Sequence, residues 1–222
     1  AERRDREGMK IRTFKTAAQA EERVFDLLSS RMKMVTAKPH GILLPGGTTP
    51  RGVYHRLALE PPAVNSHLHL MLSDERHVPP EAPESNYGGM KPMLDALAID
   101  DSRALRVHTE LELDAAADRY EKDLRAFFRH GGRITLALLG LGADGHTAGL
   151  FSGTDIFRGL GRLAMPVRRP DGLEGVTVTR DLLQKAEHIV FFAVGPEKAR
   201  AVRSMEREPG SIPAGMAVED IS

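Results

Sequence analysis

Short apolar runs alternate with amphipathic segments along almost the whole chain, and this alternation constrains the fold more than any other feature of the sequence. Runs typical of strands lie at 42–44, 68–72, 103–108, 134–139, 162–167, 176–179 and 188–194. Segments with helical character lie between them, at 17–34, 48–59, 114–130, 181–186 and 195–206. Buried strands that are joined through helices pair in parallel and are covered on both faces. The sequence therefore predicts an α/β fold with a mainly parallel sheet and helices on both faces.

The chain has 222 residues, which is enough to bury one large core. We expect a single domain over residues 9–222. The first eight residues, AERRDREG, are polar and lack the apolar segment of a signal peptide. We expect residues 1–8 to be an unstructured leader or a remnant of expression.

The composition favours a small-molecule partner. The 31 basic and 31 acidic residues cancel, so no overall field attracts nucleic acid or an anionic membrane. No apolar run approaches the roughly 20 residues that a membrane helix requires. A chain without cysteine forms no disulfide and suits a reducing compartment. We expect a cytoplasmic protein, and the sequence does not indicate its oligomeric state.

Polar clusters follow several of the predicted strands. They lie around Thr48, Asp74, His146 and Lys198. Because the carboxyl ends of parallel strands share one edge of a sheet, and ligands bind at that edge, these clusters are expected to converge. The sequence therefore predicts one site rather than separate polar turns.

The segment GILLPGGTTP at 41–50 has the order of an anion-binding turn. An apolar strand leads into Gly46 and Gly47, and Thr48 and Thr49 stand at the start of a helix. Free N–H groups and the positive end of the helix dipole attract an anion there, and the hydroxyl groups add donors. The segment is neither a Walker motif nor a dinucleotide-binding motif, so a plain turn is the alternative.

The segment LLGLGADGHTAGLF at 138–151 places an ionisable pair, Asp144 and His146, in a glycine-dense turn after an apolar run. Glycines let the backbone adopt positive φ and approach a ligand closely. A histidine with its ordinary pKa of about 6.5 is largely neutral near pH 7 and can accept a proton. The pair is a candidate for acid–base chemistry, and a hydrogen-bonded loop histidine is the alternative.

Three other polar features each allow two interpretations. The charges at 74–76 form either a solvated run or a functional cluster at the end of a strand. Lys198, in the first turn of a predicted helix, is either an anion ligand or a surface lysine. His67 and His69 share a strand face, but no third ligand follows at suitable spacing, so we expect no metal site.

Taken in this order and spacing, PGGTTP, DERHVP, SNY and GLGADGHTAGLF resemble the motifs of the 6-phosphogluconolactonases, and GPEKA supports the likeness. The resemblance covers about residues 9–214. It implies a Rossmann-like, three-layer α/β/α fold that uses no metal or organic cofactor. It also implies a sugar-phosphate substrate and the hydrolysis of 6-phospho-D-glucono-1,5-lactone to 6-phosphogluconate in the oxidative pentose phosphate pathway.

The same resemblance implies roles for individual residues. His146 is expected to be the base that activates water, and Asp144 to orient its ring or bias its charge. Arg76 and Lys198 are expected to bind phosphate together with the glycine–threonine turn, while Asp74 and Glu75 position sugar hydroxyls or Arg76. The full set expected to bind substrate or phosphate is Gly46, Gly47, Thr48, Thr49, Asp74, Glu75, Arg76, Asn86, Gly145 and Lys198.

The chain departs from the family pattern in two places. Relatives carry an arginine at the head of the strand that here reads EGVTVT, where this chain has Glu174 and Gly175. Arg168, Arg169 and Arg180 are the candidates to replace it. Relatives also continue into a further segment that contains a tryptophan, a residue that this chain lacks. The sequence therefore does not predict which residues pack against one edge of the sheet.

Two other functions remain possible on the sequence. The glucosamine-6-phosphate isomerases, or deaminases, have a similar glycine-rich turn and DGH segment. They typically carry DEY where this chain has DER, and the later SNY also favours the lactonase. A catalytically silent sugar-phosphate-binding protein is the third interpretation.

Overall fold

The computed structural model describes residues 2–4 and 9–219. Its strands are β1 Glu2–Arg4, β2 Lys10–Arg12, β3 His40–Leu44, β4 Leu68–Leu72, β5 Asp74–Arg76, β6 Ala104–Leu105, β7 Arg133–Gly140, β8 Ala164–Arg168, β9 Glu174–Val178 and β10 Ile189–Phe192. Its α-helices are α1 Ala17–Met32, α2 Arg51–Leu59, α3 Asn86–Ala96, α4 Leu113–Arg129, α5 Gly153–Arg158, α6 Arg180–Leu183, α7 Ala199–Arg207 and α8 Pro213–Val218.

A five-stranded sheet in the order β10-β7-β3-β4-β6 forms the centre of the molecule, and all its strand pairs are parallel. Strand β3 lies in the middle, between β7 and β4, and all its residues are buried. A strand covered on both faces needs apolar side chains in both directions, which explains the unbroken run ILL. The predicted parallel α/β sheet is confirmed.

Helices cover both faces of this sheet. On one face Leu28 of α1, Tyr54 of α2 and Met93 of α3 pack in a common cluster with Ile42 of β3. On the other face α4, which lies in the segment predicted to be helical at 114–130, buries Ala117, Tyr120, Leu124 and Phe127. The helical spacing of these residues puts them on one side of α4, so a single helix closes much of that face.

A second sheet was not predicted. Strand β5 pairs antiparallel with β9, and β9 pairs antiparallel with β8. Val176 of β9 and Met165 of β8 belong to the same core cluster as α4, so this small sheet covers the central sheet together with that helix. Residues 74–76 carry three adjacent charges, and nothing in their local pattern indicates a strand. Their pairing with a segment about 100 residues later depends on tertiary structure.

Several element boundaries differ from the predicted ones. The helix predicted from residue 114 begins one residue earlier, as α4, and its N-cap is Glu112. The helix expected from residue 195 begins as a 3-10 turn, Pro196–Lys198, before α7. Helix α3 was not predicted, because two glycines and Pro92 weaken its sequence pattern.

The predicted leader is described only in part. Glu2–Arg4 pairs antiparallel with Lys10–Arg12, so these three residues are not unstructured as expected. Residues 1 and 5–8 of the leader lie outside the described part of the chain. Within the described residues, the helices are too short or too polar for any of them to cross a membrane.

Candidate active site

The predicted polar clusters lie along the carboxyl edge of the central sheet. The segments around Lys198, His146, Thr48 and Asp74 follow β10, β7, β3 and β4, which is also the spatial order of these strands. The glycine–threonine turn therefore lies between the His146 loop and the segment that contains Asp74. This arrangement confirms the expectation that the clusters share one edge.

Asp144 and His146 form a hydrogen-bonded pair. Asp144 Oδ1 lies 2.6 Å from His146 Nδ1, and the same oxygen accepts the backbone N–H of His146 at 3.2 Å. A carboxylate partner favours the tautomer with the proton on Nδ1, which leaves Nε2 with its lone pair. Nε2 makes no hydrogen bond to any described residue, and the His146 side chain is 32% exposed. The ring is thus oriented, with one nitrogen available to accept a proton.

The pKa of Asp144 lies below its ordinary value. Partial burial raises this pKa, but hydrogen bonds from the backbone and ring of His146 outweigh the burial and lower it. A carboxylate that stays ionised can stabilise an imidazolium when the ring accepts a proton. The sequence spacing alone left this contact open.

The glycines of the loop make room for this pair. A Cβ at Gly142 would collide with the His146 ring and with the Asp144 carboxylate. Gly145 has φ of +88°, and a Cβ there would lie 2.7 Å from Ile212. Gly145 was a predicted substrate ligand, but both of its backbone groups form hydrogen bonds within the protein. Its N–H donates to the carbonyl of Gly142, and its carbonyl accepts from the N–H of Ala214. The structure thus gives Gly145 a role in shaping the loop.

The glycine–threonine turn has the free donors that an anion site needs. Gly47 has φ of +86°, and the backbone N–H groups of Gly47, Thr48 and Thr49 donate to no described residue. Helix α2 follows directly, with Pro50 at its N-cap. Tyr54 of α2 donates its hydroxyl to Pro45 O at 2.7 Å, which fixes the turn to the helix start. The N–H groups and the helix dipole favour an anion here.

Asn86 joins three of the predicted site segments. Its Nδ2 donates to the backbone oxygen of Asp74 at 2.8 Å, and its Oδ1 accepts from Arg76 Nη1 at 3.1 Å. Its side chain also lies against Gly46, where any Cβ would collide with it. A glycine at 46 is therefore required for the turn to pack against Asn86.

Glu75 is 2% exposed, and its carboxylate bonds to the protein. Oε1 accepts the backbone N–H groups of Arg76 at 2.8 Å and Asn86 at 2.7 Å. Oε2 accepts the N–H of Tyr87 at 2.7 Å and the hydroxyl of Ser85 at 3.2 Å. Burial raises the pKa of Glu75, and the backbone hydrogen bonds oppose this rise. The contacts of Glu75 therefore anchor β5 to the start of α3.

Arg76 and Lys198 keep donors that the protein does not use. Arg76 Nη1 donates to Glu84 O at 2.7 Å as well as to Asn86, whereas Nη2 donates to no described residue. The buried Nε of Arg76 has no hydrogen-bond partner among the described residues. Lys198 is half-buried after β10, and its ammonium pairs with no carboxylate in the described part of the chain. Both cations are available to an anion, although Lys198 makes no hydrogen bond or ion pair with another predicted site residue in the described part of the chain.

Phe151 lies beside the candidate site, a position that was not predicted from the sequence. Its ring lies 4.8 Å from the His146 ring, and the Arg169 guanidinium lies 5.3 Å from its centroid. A phenylalanine in an apolar run is normally a core residue, so no local signal distinguished it. The backbone bridge between Thr147 and Leu150 turns the chain back and places Phe151 beside the histidine.

The described residues contain no group of three or more histidine, aspartate or glutamate residues arranged to hold a metal ion. His69 Nδ1 contacts the backbone oxygen of His67 at 3.0 Å. Both residues lie near the amino end of β4, on the opposite side of the sheet from the site.

Comparison with known proteins identifies the family. Residues 14–221 match the family described as glucosamine-6-phosphate isomerases/6-phosphogluconolactonase. The chain belongs to this family. The 6-phosphogluconolactonase of Haemophilus influenzae is 34% identical over 176 residues, which are 77% of this chain and 75% of that protein.

Other members of the family agree with this assignment. The 6-phosphogluconolactonase of Aggregatibacter actinomycetemcomitans is 31% identical over 204 residues, which cover 89% of this chain and 85% of that protein. The crystal structure of the Thermotoga maritima 6-phosphogluconolactonase superposes with a TM-score of 0.77 at 25% identity, covering 90% and 89% of the two chains. The expected Rossmann-like α/β architecture is that of the family.

Strand β9 passes close to β5 at Gly175, the position where the sequence departs from the family pattern. Gly175 pairs with Arg76, and a Cβ at Gly175 would lie 2.5 Å from the backbone oxygen of Glu75. Arg168 points to solvent, with 84% of its side chain exposed, and Arg180 Nη2 donates to Glu219 O at 3.2 Å. The guanidinium of Arg169, the third candidate replacement, contacts a predicted site residue, Asp74.

Proposed function

We propose that this chain is a 6-phosphogluconolactonase that hydrolyses 6-phospho-D-glucono-1,5-lactone to 6-phosphogluconate. The observation that carries the proposal is the Asp144–His146 pair at the edge of the sheet, with the ring oriented through Nδ1 and Nε2 left free. The named relatives that are more than 30% identical support the choice of reaction.

In the proposed reaction, His146 Nε2 takes a proton from a water molecule as its oxygen attacks the lactone carbonyl. A new C–O bond forms, and the carbonyl oxygen becomes a tetrahedral oxyanion. The oxyanion then collapses, the bond to the ring oxygen breaks, and His146 returns the proton to that oxygen. The products are a carboxylic acid and an alcohol on one open chain, so atoms and charge balance. Asp144 stabilises the imidazolium between the two steps.

The phosphate binds away from the reacting carbonyl in this proposal. The free N–H groups of Gly47, Thr48 and Thr49 are its backbone ligands, and Arg76 and Lys198 are its cations. Anchoring one end of the substrate positions the other end for attack, which makes the reaction effectively intramolecular.

We assign the remaining predicted residues to positioning. Gly46 and Gly145 allow close packing, and Glu75 holds Arg76 and Asn86 in place. Asp74 is buried, accepts the hydroxyl of Ser73 at 2.8 Å and pairs with Arg169 at 3.7 Å. Its role is therefore to orient the cations rather than to ionise water.

The deciding experiment measures acid release from freshly generated lactone against the spontaneous rate. Opening of the lactone well above that rate is the expected result. Release of ammonia from glucosamine 6-phosphate, with lactone opening at the spontaneous rate, would instead assign the chain to the isomerase branch. Stabilisation by 6-phosphogluconate with no turnover of either compound would indicate a binding protein.

A further inference from the structure

Arg169 lies between the His146 loop and the Asp74 segment. Its guanidinium carbon is 5.3 Å from the centroid of Phe151, whose ring is 4.8 Å from that of His146. On its other side, Nη1 lies 3.7 Å from Asp74 Oδ2. The side chains of Arg169 and Asp74 are only 11% and 10% exposed. A largely buried guanidinium therefore stands on the wall of the proposed active site.

Most of the donors of this guanidinium are not used by the protein. Nε and Nη2 donate to the Asp171 carboxylate at 3.1 and 3.0 Å. Nη1 is too far from Asp74 for a hydrogen bond and donates to no described residue. A guanidinium has five N–H groups, so three remain without a protein acceptor among the described residues. These three N–H groups are available to an acceptor that enters the site.

Asp171 is the carboxylate that accepts from Nε and Nη2 of Arg169. It lies on the turn between β8 and β9, where Gly172 N donates to Arg169 O and Arg169 N to Leu173 O. Its carboxylate is half exposed, in contrast to the buried Asp74. Hydrogen bonds from Arg169, and further the charge of Arg76, keep the pKa of Asp171 below its ordinary value. One exposed carboxylate is thus held in the field of two arginines.

We propose that Arg169 and Arg76 together bind the substrate phosphate, and that Asp171 is the counter-ion which the phosphate displaces from Arg169. Carboxylate and phosphate oxygens both fit the planar fork of a guanidinium, and a phosphate dianion attracts it more strongly. The exchange is local to the turn at 169–173: the Asp171 side chain moves away from Arg169 and gives up the hydrogen bond that it accepts from Leu173 N at 3.1 Å. This inference rests on the proposed lactonase activity and adds a cation to its phosphate site.

The same contacts explain how the site acquires a cation without a side chain at Gly175. Strand β9 passes too close to Glu75 to carry a side chain at that position. Arg169 comes instead from the end of the neighbouring strand β8, across the hairpin. Because the two strands are joined by a short turn, their ends lie at the same place, and an arginine from either can serve one site.

The test compares Arg169→Gln, Asp171→Asn and a matched control, Arg168→Gln, on the adjacent exposed arginine. Steady-state lactone hydrolysis gives kcat and KM, and titration with 6-phosphogluconate or gluconate monitors binding without turnover. For Arg169→Gln we expect KM to rise about tenfold or more with a smaller change in kcat, because a charged hydrogen bond is lost. Arg169→Lys should restore part of the affinity. Arg168→Gln should leave both constants unchanged.

Asp171→Asn should change the affinity for 6-phosphogluconate in the opposite direction from Arg169→Gln. Removing the competing charge should tighten binding of 6-phosphogluconate by a fewfold while leaving the affinity for gluconate, which has no phosphate, unchanged. A purely structural role for the ion pair predicts weaker binding and a lower melting temperature for both variants. Wild-type KM in Arg169→Gln, or weaker product binding in Asp171→Asn, would overturn the inference. Wild-type protein that opens lactone only at the spontaneous rate would instead overturn the proposed function.

Discussion

Histidines at the two ends of the central sheet lie in opposite environments. His146, at the carboxyl edge, is partly exposed, bonds to the Asp144 carboxylate and has a free Nε2. His40, at the amino end of β3, is 1% exposed, and neither ring nitrogen has a hydrogen-bond partner among the described residues. A carboxylate partner and access to water make a histidine usable for proton transfer. A buried histidine without a hydrogen-bond partner instead lowers the stability of the fold.

The largest expected effect comes from removing the exposed ring. His146→Ala should lower kcat/KM for the lactone by about 10² to 10⁴, the range that a general base contributes. A coupled assay on freshly generated lactone measures the change. The control, His188→Asn, alters an exposed histidine at the start of β10, on the opposite edge, and should keep full activity. Equal losses in both variants would abolish the contrast between the edges.

Asp144→Asn should have a smaller effect on the rate. The amide keeps the shape of the side chain and can still accept from the ring, but it no longer provides a charge that stabilises the imidazolium. Loss of a charged hydrogen bond lowers kcat by about ten- to hundredfold. KM should change little, since Asp144 lies away from the proposed phosphate ligands. A variant with wild-type kcat would show that the pair is structural.

Low pH should destabilise the protein through His40, at the amino end of β3. Burial, followed by repulsion from His69 and His67, lowers the pKa of His40 below its ordinary value of 6.5. The unfolded chain therefore binds a proton that the folded chain does not, so stability is complete above about pH 6.5 and declines as the pH falls below it. Urea midpoints between about pH 5 and pH 8 measure this loss. His40→Leu should reduce the slope, although His69, whose pKa is also lowered, retains part of it.

The smallest expected effect is that of His40→Leu on the free energy of unfolding at pH 8. His40→Leu replaces a buried, unpartnered polar ring by an apolar side chain of similar size. We expect the free energy of unfolding at pH 8 to rise by about 1 kcal/mol, because two ring nitrogens no longer lose their hydration. Chemical denaturation measures the difference. A clear destabilisation would mean that the His40 ring makes a favourable contact despite its missing hydrogen bonds.

The sequence predicted the parts of the site that depend on local order along the chain. Apolar runs identified the parallel strands, and the polar residues directly after them had to meet at one edge. Asp144 and His146 were found because glycines mark the turn that contains them. The direct contact between the two side chains was not predictable, since residues two apart in a loop can point in any direction.

The tertiary structure decided the contacts between distant segments. Strand β5 was not predicted, because its residues are a run of charges and its partner β9 lies about 100 residues away in the chain. Glu75 was expected to position either sugar hydroxyls or Arg76, and its carboxylate oxygens accept from the backbone of Arg76 and from the start of α3. Likewise the sequence offered three arginines for the missing position, and only packing brought Arg169 beside Asp74.

The sequence alone thus determined the parallel sheet, the edge that carries the chemistry and the residue types assembled there. Periodicity and turn residues act over a few positions, so they can be read along the chain. Only the folded structure decided which carboxylate orients the histidine, which one anchors a helix and which arginine lies beside Asp74. These contacts depend on how segments that are far apart in the chain pack together. The partners of a side chain are determined only when the residues around it in space are in place.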